Sequence, residues 1–414
     1  MNPPPQAKVL RRRHALFVAA LVLPLALPLG GATFNLLAQI AAAWLLLLSI
    51  GLLVTRAGLV SFGQALYAGL AAYAAAHAMN TIAAQAWSLP FALVPLYGGL
   101  FAAAVALVVA PLCVRGSGLR FAMTTLGLGM LVALLAPMLQ GFFGGEGGIA
   151  TDRTAGPVWL GLTLLSQRQV YGVSAAYVLL GAWMLGVLDA SRLGLLARAV
   201  RDNPLRAAVS GTAPQRVRLG VVVCSAFLAG LSGALQTLHF EQVSAGALGL
   251  QTSSMALLFS LAAGSGTAWG ALLGAGLMVG SDVLLAAASR AWMLYVALGF
   301  LATVLWAPRG LWGLLCDLAA RLRQRHQPDL LWGLGAVVLG GTVAVVGASS
   351  LIELLYAVRQ QLGNGSALAL YGLRLHADNA DVWVGAALLA ATGATLGAVA
   401  WRPLARQLHD TARP

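Results

Sequence analysis

The strongest constraint on this chain is a succession of uninterrupted apolar runs, separated by short segments that carry nearly all of its arginines. A helix needs roughly 20 apolar residues to cross the hydrocarbon core of a bilayer. By that measure the runs predict spans at 14–31, 35–54, 58–84, 90–112, 120–142, 170–188 and 217–238, then a less regular apolar stretch at 253–287, and further spans near 292–307, 330–350 and 382–402. Only 9% of the 414 residues are charged, 60% are hydrophobic, and the mean hydropathy is +0.84. A soluble domain carries roughly a quarter charged residues, so a particle of this size could not stay in water. The runs are continuous and rich in Ala, Leu and Gly, which excludes a β-barrel, whose strands alternate over about 10 residues. The expected fold is all-α: a polytopic integral membrane protein of about 10–11 transmembrane helices.

Loop charge sets the expected orientation. Lys and Arg concentrate in cytoplasmic loops, so Lys8 and Arg11, Arg12 and Arg13 place the N-terminus in the cytoplasm. Counting crossings then puts Arg56, the loop of Arg115 and Arg120, and the loop 189–216 on the same side. The loop 143–169 falls outside with a mixed set, Glu146, Asp152, Arg153 and Arg168. The stretch 253–287 is interrupted by Gly264-Ser265-Gly266. A single crossing there would strand Arg309, Arg321, Arg323 and Arg325 outside; two crossings by shorter helices return them to the cytoplasm, with Arg402, Arg406 and Arg413 at a cytoplasmic C-terminus. A broken helix at membrane depth is tolerated only against protein or a cavity, so this segment is expected to avoid lipid. The run at 15–31 follows a basic flank as a signal peptide does, but lacks a clear cleavage site and reads as a retained helix.

Several chemistries are excluded. The net charge of +13 lies in arginine clusters between apolar runs, without the aromatic-interleaved basic face of a nucleic-acid-binding protein. Lys8 is the only lysine, so no phosphate-binding G-x-x-x-x-G-K-[ST] loop exists and any ATP-driven step belongs to another chain. Six scattered histidines, three isolated cysteines and the absence of a G-x-S-x-G elbow leave no metal or nucleophile pattern. Span centres lack the paired carboxylates of proton relays, and Glu353 and Asp282 read as charges near span ends.

Two loops stand out. Gly144, Gly145, Gly147 and Gly148 surround Glu146 just beyond a span, which suits a plain turn as well as an external gate or docking feature. The segment 189–216 is too polar for a span and longer than a turn requires. Its SRLGLLARAVRDN predicts a short amphipathic helix with Leu195, Leu196, Ala199 and Val200 opposite Arg192, Arg198 and Arg201, stopped at Pro204. Such a helix can act as a lever for a partner protein or rest on anionic lipid; physics alone leaves both open.

From SFGQALYAGLAAYAAA (61–76) through RGSGLRFAMTTLGLG (115–129), GGEGGIA (144–150), RAVRDNPLRAAVSG (198–211) and SAFLAGLSGAL (225–235) to WGALLGAG (269–276) and APRGLWG (307–313), the chain resembles the permeases of branched-chain amino acid ATP-binding-cassette importers. The resemblance covers most of residues 34–313. It departs at Gln64 and Ala71, where the family has His and Gly, and at Pro204 and Val209, where it has acidic residues. The resemblance implies that Arg198, Arg201, Asp202, Asn203, Arg206 and Gly211 form a coupling loop that docks on an ATPase. It further implies a second, related permease subunit, two ATP-binding subunits that carry ATP and Mg, a periplasmic substrate-binding protein, and residence in the bacterial inner membrane. No cofactor or metal is expected on this chain.

The organisation expected is a basic tail and first helix (1–33), a permease core (34–313) with its coupling loop, a basic linker (314–328) and a two-helix extension (329–414). The function expected is a passive translocation path for a small polar solute, branched-chain amino acids by default, with other amino acids, urea or short amides as alternatives. Ser61, Gln64, Tyr67, Thr124 and Thr125 either line the path or bond to neighbouring helices. An ion-coupled secondary transporter would need buried acids or paired broken helices, and a membrane enzyme would need clustered His, Asp or Ser at the interface; the sequence offers only the single break at 264–266.

Overall fold

A computed structural model describes residues 30–85, 87, 89–157, 163–264, 266–289, 291–307, 309–324, 328–359, 367–370, 373–376 and 379–410. The expected first span, apart from its last two residues, lies outside them. The described chain forms two compact units: residues up to Gly280 together with Trp306–Gly313, and Ser281–Leu305 together with Leu314 onward.

The first unit contains α1 (Gly31–Leu52), α2 (Gln64–Ala83), α3 (Val94–Cys113), α4 (Leu119–Leu135), α5 (Gln167–Ala190), α6 (Arg192–Asp202), α7 (Pro204–Val209), α8 (Pro214–Phe240), α9 (Leu250–Ala263) and α10 (Ala268–Gly280). Helix directions follow from residue pairs. Ser225 and Ser232 of α8 donate to the carbonyls of Ser49 and Ala42, so α1 and α8 are antiparallel. Gly98 faces Ala234 and Gly230 faces Ala102, which makes α3 antiparallel to α8. Phe34 packs on Tyr171 and Gly181 faces Leu45, so α5 runs with α1. Gly233 lies on Ala68 and Thr237 donates to Ala72, so α2 runs with α8. Strict alternation results, and the segments bearing Arg56, Arg115, Arg120 and the 189–216 loop all collect at one end. Close approach is set by small residues, as in membrane helix packing generally: any Cβ at Gly233 would overlap the Ala68 carbonyl.

Among the described residues, six helices are long and apolar enough to cross a membrane, and up to eight if each of two bent pairs counts as one span. Helix α2 is not among the six, although its 20 residues would reach across about 30 Å. It carries Gln64, Tyr67, Tyr73, His77 and Asn80, and it lies enclosed by α8, α3, α4 and the turn Ala245–Leu248. A helix surrounded by protein need not be as apolar as one facing lipid. The expected count of 10–11 also includes the run at 14–31 and the span at 330–350, whose apolar part here is the shorter Leu339–Leu355.

The stretch 253–287 forms two helices, α9 and α10, the latter continued by a π-helical turn, Ser281–Leu285. They fold back on each other, since Gly274 faces Phe259 and Ala263. Gly264, at φ +98°, makes the break and lies on Arg309 and Gly310. Trp44, at the centre of the span Gly31–Ala57, donates to the Ala268 carbonyl (2.9 Å). The turn therefore sits near mid-span with Gly264 against protein, but Thr267 and much of the apolar run Ala268–Leu285 are uncovered in this chain, so the expectation that the whole stretch avoids lipid is met only in part; α9 has only 14 residues. Gly266 is exposed, and Ser265 lies outside the described residues.

The second unit contains α11 (Trp292–Trp306, except its last residue), most of α12 (Gly310–Gln324), α13 (Pro328–Arg359) and α14 (Ala380–Asp410). Much of the expected basic linker is therefore helical. In α13 and α14, Gly347 faces Ala390, Gly393 faces Ala344 and Gly340 faces Gly397, an antiparallel small-residue seam. A strand pair, β3 (Ala367–Leu370) and β4 (Leu373–His376), lies in the connection between them. Glu353, near the end of α13 as expected, is buried within the unit and accepts hydrogen bonds from Ser289 and Tyr295.

Candidate functional site

Three features of the first unit carry the candidate residues. The first begins where α1 widens into a π-helical turn, Leu53–Ala57, and ends on Gly58 at φ +63°. The chain then runs without regular structure to Gly63, and α2 starts only at Gln64. Gln64 lies level with Ser49, eight residues before Ala57 and thus about 12 Å along α1 from its end. Irregular backbone at this depth must find partners for its amides. Side-chain hydroxyls supply them: Thr125 accepts from Phe62 N (3.3 Å), Ser61 from Gly63 N (3.2 Å) and Ser253 from Ala65 N (3.0 Å). The Gln64 amide donates to Ser225 (3.1 Å) and accepts a long hydrogen bond from Ser49 (3.4 Å).

Of the residues expected to line the path or bond to neighbouring helices, Ser61, Gln64 and Thr125 are all buried, Ser61 and Thr125 holding amides of the segment and Gln64 bonding to α8 and α1. Tyr67 is buried one turn further on, and Thr124 is exposed on the other side of α4, donating to its own helix at Arg120 O. Sequence reading missed Ser49, Ser225 and Ser253. Single hydroxyls in apolar runs give no periodic signal, and only their meeting in space marks them.

The second feature is the basic arm. Ser191 caps α6 by accepting from Gly194 N, and Asn203 caps α7 by accepting from Arg206 N, with Pro204 at its first position. This confirms a short helix broken at Pro204 but corrects its faces. The side packed on the membrane helices is Gly194, Ala197 and Val200, with Leu193 against Gly220. Leu195, Leu196 and Ala199 point outward, joined by Leu205 and Val209, which are 79% and 91% exposed. The arginines divide likewise. Arg198 donates to the Asp189 carbonyl (3.2 Å), and Arg201 donates to the Thr55 carbonyl (2.5 Å) and pairs with Asp202. Arg206 is exposed, as is Gly211, at φ +81°. Beneath the arm, Arg56 pairs two-pronged with Asp189 at 2.5 and 2.7 Å, tying the ends of α1 and α5 together. Asp189 had no place in the sequence reading.

The third feature, at the opposite end, is the glycine loop. A short helical turn, Gln140–Phe143, leads into Gly144, Gly145 and Gly148, all with positive φ. Strand β1 (Ile149–Ala150) then pairs with β2 (Gln242–Val243). A Cβ at Gly148 would overlap the Val243 carbonyl, so the glycines serve a tight turn. Glu146 is exposed on it, and Gly147 has open space around its Cα. Beyond the strand, buried Arg153 donates to the His239 carbonyl and faces Glu241 (3.6 Å), fastening the loop to the end of α8. Asp152 accepts from the Thr154 hydroxyl and amide, which hold its carboxyl below the usual aspartate range.

Alternating apolar helices, a polar cluster enclosed at depth and a basic arm at one end define a multi-pass membrane protein of the transporter class. Over residues 32–306 the chain matches the family model described as the branched-chain amino acid transport system / permease component. No curated protein and no solved structure matches it. The chain belongs to the branched-chain amino acid transport permease family, and so is a transport subunit rather than an enzyme.

Proposed function

We propose that the chain is the membrane-spanning subunit of an ATP-binding-cassette importer in the bacterial inner membrane, with both termini in the cytoplasm. It works beside a second, related permease subunit, two ATP-binding subunits that hold ATP and Mg, and a periplasmic binding protein that delivers the solute. The solute class is branched-chain amino acids; other amino acids, urea or short amides follow in the same family frame.

The observation that carries this reading is the two-sided arm. One side of α6–α7 is fixed to the ends of α1 and α5, and the other presents Leu195, Leu196, Leu205 and Val209 among Arg192, Arg206 and Arg216. Apolar side chains exposed on a structured element mark an interaction site. The arginines gathered at this end support a cytoplasmic position for it, where an ATPase would meet it. Lipid-surface docking also suits a basic helix. However, Leu205 and Val209 extend the apolar patch beyond α6, which favours a shaped protein partner.

The test is affinity purification of the tagged chain from its native membrane. Replacing Arg206 and Val209 by Glu should remove the ATPase subunits while the chain stays folded. Recovery of an unchanged complex would assign the arm to another role.

A further inference from the structure

We infer that Arg201 and Gly58 form the joint through which movement of the α6–α7 arm reaches the irregular segment 59–63 and the hydroxyl cluster that holds it. This rests on the reading that an ATPase moves the arm. The contacts are continuous. The Arg201 guanidinium donates to the Thr55 carbonyl, which lies in the closing turn of a helix, where carbonyls lack a following amide. Its aliphatic stem lies on Gly58, where a Cβ would come within 2.7 Å of Arg201 Cγ. Gly58 is also the residue at which the chain leaves the helix, at φ +63°.

From Gly58 no regular element separates the arm from Phe62, Gly63 and Ala65, whose amides are held by hydroxyls of Thr125, Ser61 and Ser253. These hydroxyls come from α4, from the segment itself and from α9. The segment is thus held by single side-chain hydrogen bonds rather than by a helical ladder. The π-helical turn at Leu53–Ala57 adds to this, since such turns are local departures from the regular ladder that concentrate at functional sites. Arg198 fixes the base of the arm to α5 at the Asp189 carbonyl, and the Arg56–Asp189 pair ties the turn Leu53–Ala57 to the same residue. In this scheme movement of the arm passes through the Arg201 stem to Gly58, just beyond the point where Arg56 holds the turn to Asp189. Arg201 is a positioning residue in this scheme and touches no solute.

Hydrogen–deuterium exchange on the purified chain in nanodiscs tests the joint without any partner. Arg201→Ala should speed exchange of peptides covering 57–65 by about tenfold, the scale of one charge-assisted hydrogen bond, and leave the centre of α8 unchanged. Arg201→Lys, which keeps a donor, should remain near the parent. Unchanged exchange at 57–65, or an equal rise across all helices, would overturn the joint.

The second arm uses the assembled complex with Ser61→Cys in a chain whose Cys113, Cys224 and Cys316 are replaced. Maleimide labelling at position 61 should change when MgATP and vanadate are added. That change should vanish in Arg201→Ala and in Gly58→Ala while the ATPase subunits still co-purify; a persisting change would overturn the inference. If no ATPase subunit co-purifies with the parent chain, the importer reading fails instead, and the exchange result stands apart from it.

Discussion

Replacing Gln64 separates a structural role from a solute-contacting one. In the structure its amide makes one ordinary hydrogen bond, to Ser225, and one long contact with Ser49. Both partners keep other bonds: Ser225 donates to the Ser49 carbonyl (2.9 Å), and Ser49 donates to the Leu46 carbonyl (2.6 Å). Gln64→Leu therefore removes about one neutral hydrogen bond, about 1 kcal/mol, and strands no buried donor. Filling the same volume with an apolar side chain offsets part of that, so the net loss should be under about 1 kcal/mol. Gln64→Ala loses the same bond and also empties a site that is 1% exposed, adding about 2 kcal/mol for a cavity. Reversible unfolding of the purified chain in SDS reads both values, and uptake of labelled leucine by cells expressing the complex reads function. The expected order is parent, then Leu, then Ala, in stability and uptake alike. If Gln64→Leu kept its stability but abolished uptake, the buried-cluster reasoning would be wrong and Gln64 would meet solute.

Three further outcomes are expected. Arg56→Ala or Asp189→Ala should each lower stability by about 1 kcal/mol, a bidentate pair discounted for its partial exposure. The swapped pair, Arg56→Asp with Asp189→Arg, should recover part of that loss in the same SDS titration. Gly148→Ala should unpair β1 from β2, because φ is +71° and a Cβ would overlap the Val243 carbonyl; limited trypsin digestion would then show cleavage at Arg153, which is buried in the parent. Leu205→Asp with Val209→Asp should leave the unfolding midpoint within error, since both side chains are exposed, while reducing recovery of ATPase subunits in affinity purification.

Much of the fold is legible in the sequence because the bilayer imposes one rule, that long apolar runs become helices. The alternating basic loops give helix direction for the same reason. Helix α2 lies within a predicted span yet carries Gln64, Tyr67, His77 and Asn80; α8, α3 and α4 surround it, so it need not be as apolar as a lipid-facing helix. The site is legible in part. Ser61, Gln64 and Thr125 stand out as polar residues within motifs, but their adjacent hydroxyl donors and acceptors, Ser49, Ser225 and Ser253, come from three other helices. Thr124 and Thr125 are neighbours in sequence, and only the rotation of α4 separates the exposed one from the buried one. In the arm, a helical wheel identifies an apolar stripe but not which stripe is covered. Leu193 and Val200 face the membrane helices, and Leu195 and Leu196 are left exposed. The break at 264–266 is visible as glycine, whereas its depth required the bond from Trp44 to Ala268.

The central claim is that another subunit's ATP hydrolysis drives transport through this chain. The most direct measurement is leucine uptake in a strain lacking the chromosomal copy and complemented by this chain, with cellular ATP depleted in one culture and the proton gradient collapsed at constant ATP in another. An ATP-driven importer loses uptake in the first culture and retains it in the second. Uptake that survives ATP depletion but collapses with the gradient would contradict the account and favour an ion-coupled carrier.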